Sequence, residues 1–131
     1  MIIGWIIVGA LFILAVTGTV LVLILPQKIL HGAVKKKIAS AWARALSQSN
    51  PQLKVIEGDK VLDEALRLLQ YHGSLGQKLR IVGPRLKHLN DVWWAHKLRN
   101  SVVHQLEHMP SKADADRAMK AFEGALRDLG L

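Results

Sequence analysis

The chain of 131 residues contains no cysteine. Disulfide scaffolds and thiolate metal sites are therefore excluded, and the absence of cysteine agrees with a reducing cytoplasm. No alternation of apolar and polar residues, which would indicate β-strands, follows residue 26, and no internal repeat is visible. The sequence therefore predicts an all-α protein that is held together without covalent cross-links.

Charge is missing from the beginning of the chain. Residues 2–25 contain no charged residue and no amide side chain. A helix over this stretch would be about 36 Å long, enough to cross a hydrocarbon core of about 30 Å. A secretory signal peptide normally has a positive region, a shorter apolar core and a cleavage site of small residues, and this pattern is not found here. We therefore predict a transmembrane anchor over residues 1–26.

Acidic residues are absent before Glu57, and all 18 lysine and arginine residues follow Leu25. The positive-inside rule places the flank that carries more lysine and arginine in the cytoplasm. We therefore expect a single-pass protein of the cell membrane (inner or plasma membrane), with the N-terminus outside and the C-terminal domain in the cytoplasm.

The isoelectric point of about 10.1 would by itself suggest a nucleic-acid partner. From Glu57 onward, however, 12 cationic residues oppose 10 acidic residues, a net charge of only +2. The excess lies before Glu57, where Lys35, Lys36 and Lys37 are expected to bind anionic lipid headgroups at about 1 kcal/mol each. Net charge alone therefore does not predict RNA binding.

Residues 27–50 are predicted to form a basic juxtamembrane helix and linker. Ile38 and Trp42 share one side of this helix, and the lysines lie on the other side. Two interpretations remain open: an interfacial helix with Trp42 at headgroup level, or a solvated helix that leads into the domain. A polar stretch over residues 47–52 separates this region from a helical domain over residues 51–131.

Apolar spacing divides the domain into about four helices. They are predicted over residues 55–71, over residues 74–80 with Ser74 as cap, from Asn90 or Asp91 to Met109, and from a capping box at Ser111 and Asp114 to Leu129, with Gly130 as the stop. Phe122 is among the residues of the last helix that are expected to face inward. A domain of this size is near the lower limit for a self-sufficient core, so we expect a two-fold homodimer through residues 92–106.

The third of these helices contains the candidate functional residues. His96, Arg99, Asn100 and His104 fall within an arc of about 140° on the helix. The guanidinium of Arg99 offers a planar fork of donors that suits phosphate. The imidazole of His104 titrates near neutrality and suits proton transfer. Together they form a candidate site for a phosphodiester.

The pattern Arg-Asn-x-x-x-His formed by Arg99, Asn100 and His104 resembles the signature of the HEPN superfamily of small α-helical domains. Flanking segments at residues 57–66, 73–79 and 118–130 look like the corresponding segments of small bacterial HEPN-like proteins, so the resemblance covers about residues 55 to 131. It implies a HEPN-like helical bundle. It also implies metal-independent RNA cleavage, in which a 2′-hydroxyl attacks the adjacent phosphate and the motifs of two protomers face one cleft.

The resemblance implies that Arg99, Asn100 and His104 are the catalytic residues. Arg99 would hold the phosphate, His104 would transfer the proton, and Asn100 would orient the imidazole or the phosphate. His96 and Lys97, on the same helix, are added as candidates for substrate binding. RNA is then the expected partner, and neither a cofactor nor a metal ion is expected.

Alternatives to catalysis remain open at this point. Arg99 could pair with Asp59 or Asp63 of the preceding long helix while His104 donates to a backbone carbonyl, which would leave a non-catalytic, membrane-tethered scaffold. Residues 104–108 also read His-x-x-Glu-His, a zinc hydrolase motif, although such enzymes need a third distant ligand and a larger domain. Trp93 and Trp94 point about 100° apart and are expected to pack in the core or an interface instead of stacking on bases.

Overall fold

A computed structural model describes residues 1–104 and 109–131, and of residues 20–30 it describes the backbone alone. The described residues form only helices. These are α1 (Ile2–Leu46), α2 (Pro51–Leu68), α3 (Leu75–Val82), a 3₁₀ turn (Gly83–Arg85), α4 (Leu89–His104) and α5 (Lys112–Asp128). The predicted all-α class is confirmed. The helix starting at residue 2 continues to Leu46, so the predicted anchor and the predicted juxtamembrane segment belong to one helical element.

The first of two compact units comprises Met1–Ala33. Within it, the stretch Ile2–Thr19 has a mean hydropathy of 2.3, and none of this stretch is buried in the protein. One helix of the described chain is therefore long and apolar enough to span a membrane, as predicted.

The second unit comprises Val34–Leu131 and holds the apolar core. The end of α1 belongs to this core, because Val34, Ile38 and Ala45 are buried and Trp42 packs against them. Of the two interpretations of the juxtamembrane helix, the one that leads into the domain therefore matches the packing. The predicted boundary of the domain at residue 51 stays a prediction.

Local signals explain where the helices of the second unit begin. The side chain of Asn50 accepts hydrogen bonds from the backbone amides of Gln52 and Leu53, so α2 starts at Pro51, where a missing amide hydrogen costs nothing. Ser74 caps α3 in a capping box with Gln77, and Ser111 caps α5 in a capping box with Asp114. The predicted caps at Ser74 and Ser111 are confirmed.

Helices α2 and α5 cross closely at Gly58. A β-carbon at this position would lie 2.6 Å from the sulfur of Met119 and 2.9 Å from Cδ2 of Phe122. Only glycine allows this approach, which sets the register of α2 against the rest of the core. That register fixes the direction in which the next residue, Asp59, points.

Candidate functional site

The site begins with an acidic residue on the apolar face of α2. Asp59 lies four residues after Val55 and three before Leu62, both of which are fully buried. Helical periodicity therefore places the carboxylate of Asp59 on the core-facing side, where the residue is only 2% exposed. A buried carboxylate needs donors, and α4 provides them.

Four side chains form a closed ring, here called the Asp59 ring. Oδ1 of Asp59 lies 2.7 Å from Nδ1 of His96, and Oδ2 of Asp59 lies 3.3 Å from Nε of Arg99. Nη1 of Arg99 donates to Oδ1 of Asn100 over 2.9 Å, and Nδ2 of Asn100 lies 3.4 Å from Nε2 of His96. The contact between Asp59 and Arg99 is an ion pair without hydrogen-bond alignment. The ring joins α2 to α4.

One side of the Asp59 ring faces an open cleft between α2, α3 and α4. The cleft has a volume of about 660 Å³, which lies within the usual range of about 300 to 1,000 Å³ for small-molecule sites. Its lining residues come from the three helices and the cap of α3: Asp59, Lys60, Asp63, Glu64, Ser74, Leu75, Gly76, His96, Arg99 and Asn100. The cleft can therefore hold one or a few ligand groups next to Arg99.

Paired charges also lie along the part of the cleft that α2 contributes. Hydrogen bonds from Arg67 and then from Lys37 lower the pKa of Glu64 from its ordinary value of 4.5 to about 2. The carboxylate of Asp63 accepts a hydrogen bond of 2.9 Å from the ammonium of Lys78, a side chain that is only 4% exposed. These pairs offset the negative charge of Asp63 and Glu64 beside the cleft.

The structure brings three of the five predicted site residues together. His96, Arg99 and Asn100 all line the cleft. Lys97 and His104 are exposed, and neither belongs to the described residues that line it. His104 is the last residue of α4, about 12 Å along the helix axis from His96, so a shared helix face does not place both in one cleft.

Both tryptophans of α4 pack against other parts of the same chain. The ring of Trp93 lies 3.5 Å from the position that a β-carbon on Gly76 would take, and it meets His96 edge to face at 6.1 Å between centroids. The guanidinium of Arg117 lies 4.0 Å above the ring of Trp94. The interpretation of these residues as packing residues fits this arrangement, and Trp93 packs against the ring of His96.

Four of the five positions of the His-x-x-Glu-His motif, residues 105–108, lie outside the described residues. Within the described ranges, no three side chains of His, Asp or Glu are grouped closely enough to hold a metal ion.

Sequence reasoning named Asp59 only as one of two possible partners of Arg99 and missed its contact with His96. One signal could have revealed it. Asp59 interrupts the stripe of buried positions on α2, and an acid within such a stripe is expected to have a buried partner. On α4, His96 and Arg99 are among the residues that carry donor groups suited to such a carboxylate.

Comparison of the chain with models of known protein families, with curated proteins and with solved structures finds no match. The HEPN-like identity therefore stays a prediction that rests on the resemblance of the sequence.

Proposed function

We propose that the chain is a membrane-anchored HEPN-like domain that binds RNA in the cleft beside Arg99. The observation that carries this proposal is the position of the Arg99 guanidinium at the edge of the Asp59 ring, where its side chain lines the cleft and stays 30% exposed. Asp59 pairs with Nε and Asn100 accepts a hydrogen bond from Nη1, and these two contacts orient the guanidinium. A guanidinium that is oriented in this way suits a phosphate oxygen better than a mobile one, because less entropy is lost on binding.

One exposed lysine supports the same proposal. Lys60 lies at the rim of the cleft, where its ammonium forms an exposed ion pair of 2.8 Å with Glu57. Such a pair is weak, so a phosphate of a bound strand can compete for this ammonium, which would strengthen binding at low salt. The scaffold hypothesis remains the alternative function, because each of the four side chains of the Asp59 ring already contacts two others.

Replacement of Arg99 by alanine is expected to weaken binding of a short single-stranded RNA by about 10- to 100-fold, because one charge-assisted contact contributes about 1.5 to 3 kcal/mol. The full chain in detergent would be titrated into labelled RNA at fixed salt. Arg117→Ala is the matched control, because it removes the same charge from a residue on α5 that stacks on Trp94 and pairs with Asp91. Equal affinity in the two variants would favour the scaffold function.

We further propose the predicted topology: a single pass through the cell membrane, with the second unit in the cytoplasm. The apolar helix Ile2–Thr19 and the location of every lysine and arginine after Leu25 support it. Lys35 and Lys36 are exposed and suit anionic headgroups, whereas Lys37 forms an ion pair of 2.8 Å with Glu64.

The absence of cysteine allows a direct test of this topology. A cysteine introduced at the exposed position Lys120 is expected to react with an impermeant maleimide in inverted vesicles and not in intact cells. A cysteine introduced at Ile2 should show the opposite pattern. Labelling of Lys120→Cys in intact cells would contradict the proposed orientation.

We also propose that the domain forms a two-fold dimer through the end of α4. Val103 on α4 is 45% exposed and Leu53 on α2 is 48% exposed. Gln52 donates a hydrogen bond to the backbone carbonyl of Val102, which ties the start of α2 to the end of α4. Two apolar side chains therefore lie at the same end of the domain.

Val103→Asp is expected to weaken the dimer by about tenfold or more, because an unpaired charge in an interface costs on the order of 2 kcal/mol. Sedimentation of the full chain in detergent measures the dissociation. Ile81→Asp is the control, because Ile81 is 63% exposed on α3. A wild-type chain that sediments only as a monomer would contradict the proposal.

A further inference from the structure

His96 has a defined proton position that follows from its neighbours. The carboxylate of Asp59 is only 3% exposed and can only accept hydrogen bonds when ionised. Nδ1 of His96, 2.7 Å away, must therefore carry the proton. In the neutral ring, Nε2 then presents a lone pair as an acceptor.

The amide of Asn100 supports the same assignment, with the proton on Nδ1 of His96 and the lone pair on Nε2. Its Oδ1 accepts from the guanidinium of Arg99, so its Nδ2 must be the atom that faces Nε2 of His96. At 3.4 Å this last contact is longer than the usual 2.9 to 3.0 Å of such a bond. A ligand that offers a better donor from the cleft can replace it.

We propose that His96, oriented by Asp59, is the proton acceptor of the cleft, and that the bound RNA is cut there at a phosphate held by Arg99. This inference rests on the proposed RNA binding. The substrate chemistry follows from the two neighbouring groups. Nε2 of His96 requires a hydroxyl donor and Arg99 requires an anionic oxygen, and a ribose 2′-hydroxyl beside its own 3′-phosphodiester offers both.

In the reaction, Nε2 of His96 accepts the proton of the 2′-hydroxyl. The 2′-oxygen forms a bond to phosphorus, and the bond between phosphorus and the 5′-oxygen of the next nucleotide breaks. The leaving 5′-oxygen takes a proton from water, and the hydroxide that remains takes the proton from the imidazolium. The products are a cyclic 2′,3′-phosphate and a 5′-hydroxyl.

Asp59 acts as a positioning residue in this scheme. Its carboxylate fixes the tautomer with a free Nε2 and stabilises the imidazolium after proton transfer, as a buried aspartate does in serine proteases. The Arg99 guanidinium, which is beside the same carboxylate, stabilises the charge that develops on the phosphate. The inference assigns proton transfer to His96 in place of His104, which is not among the described residues of the cleft.

The test uses the full chain in detergent, a short RNA and the same oligonucleotide with deoxyribose throughout. Binding and cleavage are measured separately. We expect His96→Gln to lower the cleavage rate by about 100-fold or more, the usual contribution of a general base, and to leave RNA affinity within about threefold. His88→Gln, an exposed histidine away from the cleft, is the matched control and should cleave like the wild type. The deoxyribose strand should bind and remain intact.

Two further measurements separate chemistry from folding. Imidazole added to His96→Ala should restore part of the cleavage, which a purely structural role of His96 would not allow. Asp59→Asn should lower the rate and shift its pH profile, because the amide can donate to Nδ1 and reverse the tautomer.

The outcomes distinguish this inference from the proposed function. If the wild-type chain binds RNA and leaves it intact, the inference fails and the binding function stands. Cleavage that is lost in His104→Ala and kept in His96→Gln would also overturn the inference. If the wild-type chain does not bind RNA, the proposed function itself fails.

Discussion

Replacement of Phe122 by alanine is expected to lower the free energy of unfolding by about 3 to 5 kcal/mol, the usual cost of removing a buried aromatic ring. Phe122 is fully buried, and its ring packs on the backbone of α2 at Gly58. The surrounding helices cannot close the cavity without shifting the register of α2 against α5. Denaturant unfolding of the full chain in detergent, followed by tryptophan fluorescence, measures the loss.

Ile81→Ala is the control for this substitution, because Ile81 on α3 is 63% exposed. Its loss should lower the free energy of unfolding by less than about 1 kcal/mol. Similar losses for the two variants would mean that α5 does not form the centre of the core.

The caps of α3 and α5 and the inward face of α5 could be predicted from the sequence, because their signals are local. Ser111 and Asp114 form the predicted capping box. Gly130, which has a φ of +81°, follows the C-cap of α5 as predicted. Phe122 faces inward as its spacing predicted. Each of these features depends on residues within one or two helical turns.

The Asp59 ring could be predicted only in part, because it depends on long-range packing. Asp59 and His96 are separated by 37 residues in the chain. Their contact requires the close crossing of α2 and α5 at Gly58 and the packing of α4 against both helices. Helical periodicity grouped His96, Arg99 and Asn100 correctly, but it gave no information on where the cleft ends. It therefore could not place His104 relative to the cleft.

The start of α2 shows the same limit on a smaller scale. The apolar pattern predicted a helix from residue 55, and α2 begins at Pro51. Asn50 and Pro51 together start the helix four residues earlier, within a stretch whose polar composition indicated a linker. Composition alone therefore underestimated the length of the helix that carries Asp59.

The Asp59 ring also predicts a large effect on stability, independent of RNA. Asp59→Ala removes the acceptor of His96 and the counter-charge of Arg99 at the same time. Breaking a fully buried pair costs about 3 to 5 kcal/mol, but the side chain of Arg99 is 30% exposed and can reach water through the cleft. We therefore expect a smaller loss in the free energy of unfolding, of about 2 to 3 kcal/mol.

Asp91→Ala tests whether this loss comes from burial of the pair. Asp91 lies on α4 and pairs with Arg117 at 3.3 Å, but the two side chains are 50% and 57% exposed. An exposed pair contributes less than about 1 kcal/mol, so this variant should have a free energy of unfolding close to that of the wild type.

Adding Arg99→Ala to Asp59→Ala should recover part of the loss, because the unpaired guanidinium is removed. The loss in the free energy of unfolding could instead equal the sum of the losses in Asp59→Ala and Arg99→Ala. That result would show that the two side chains act independently and that the ring does not couple α2 to α4.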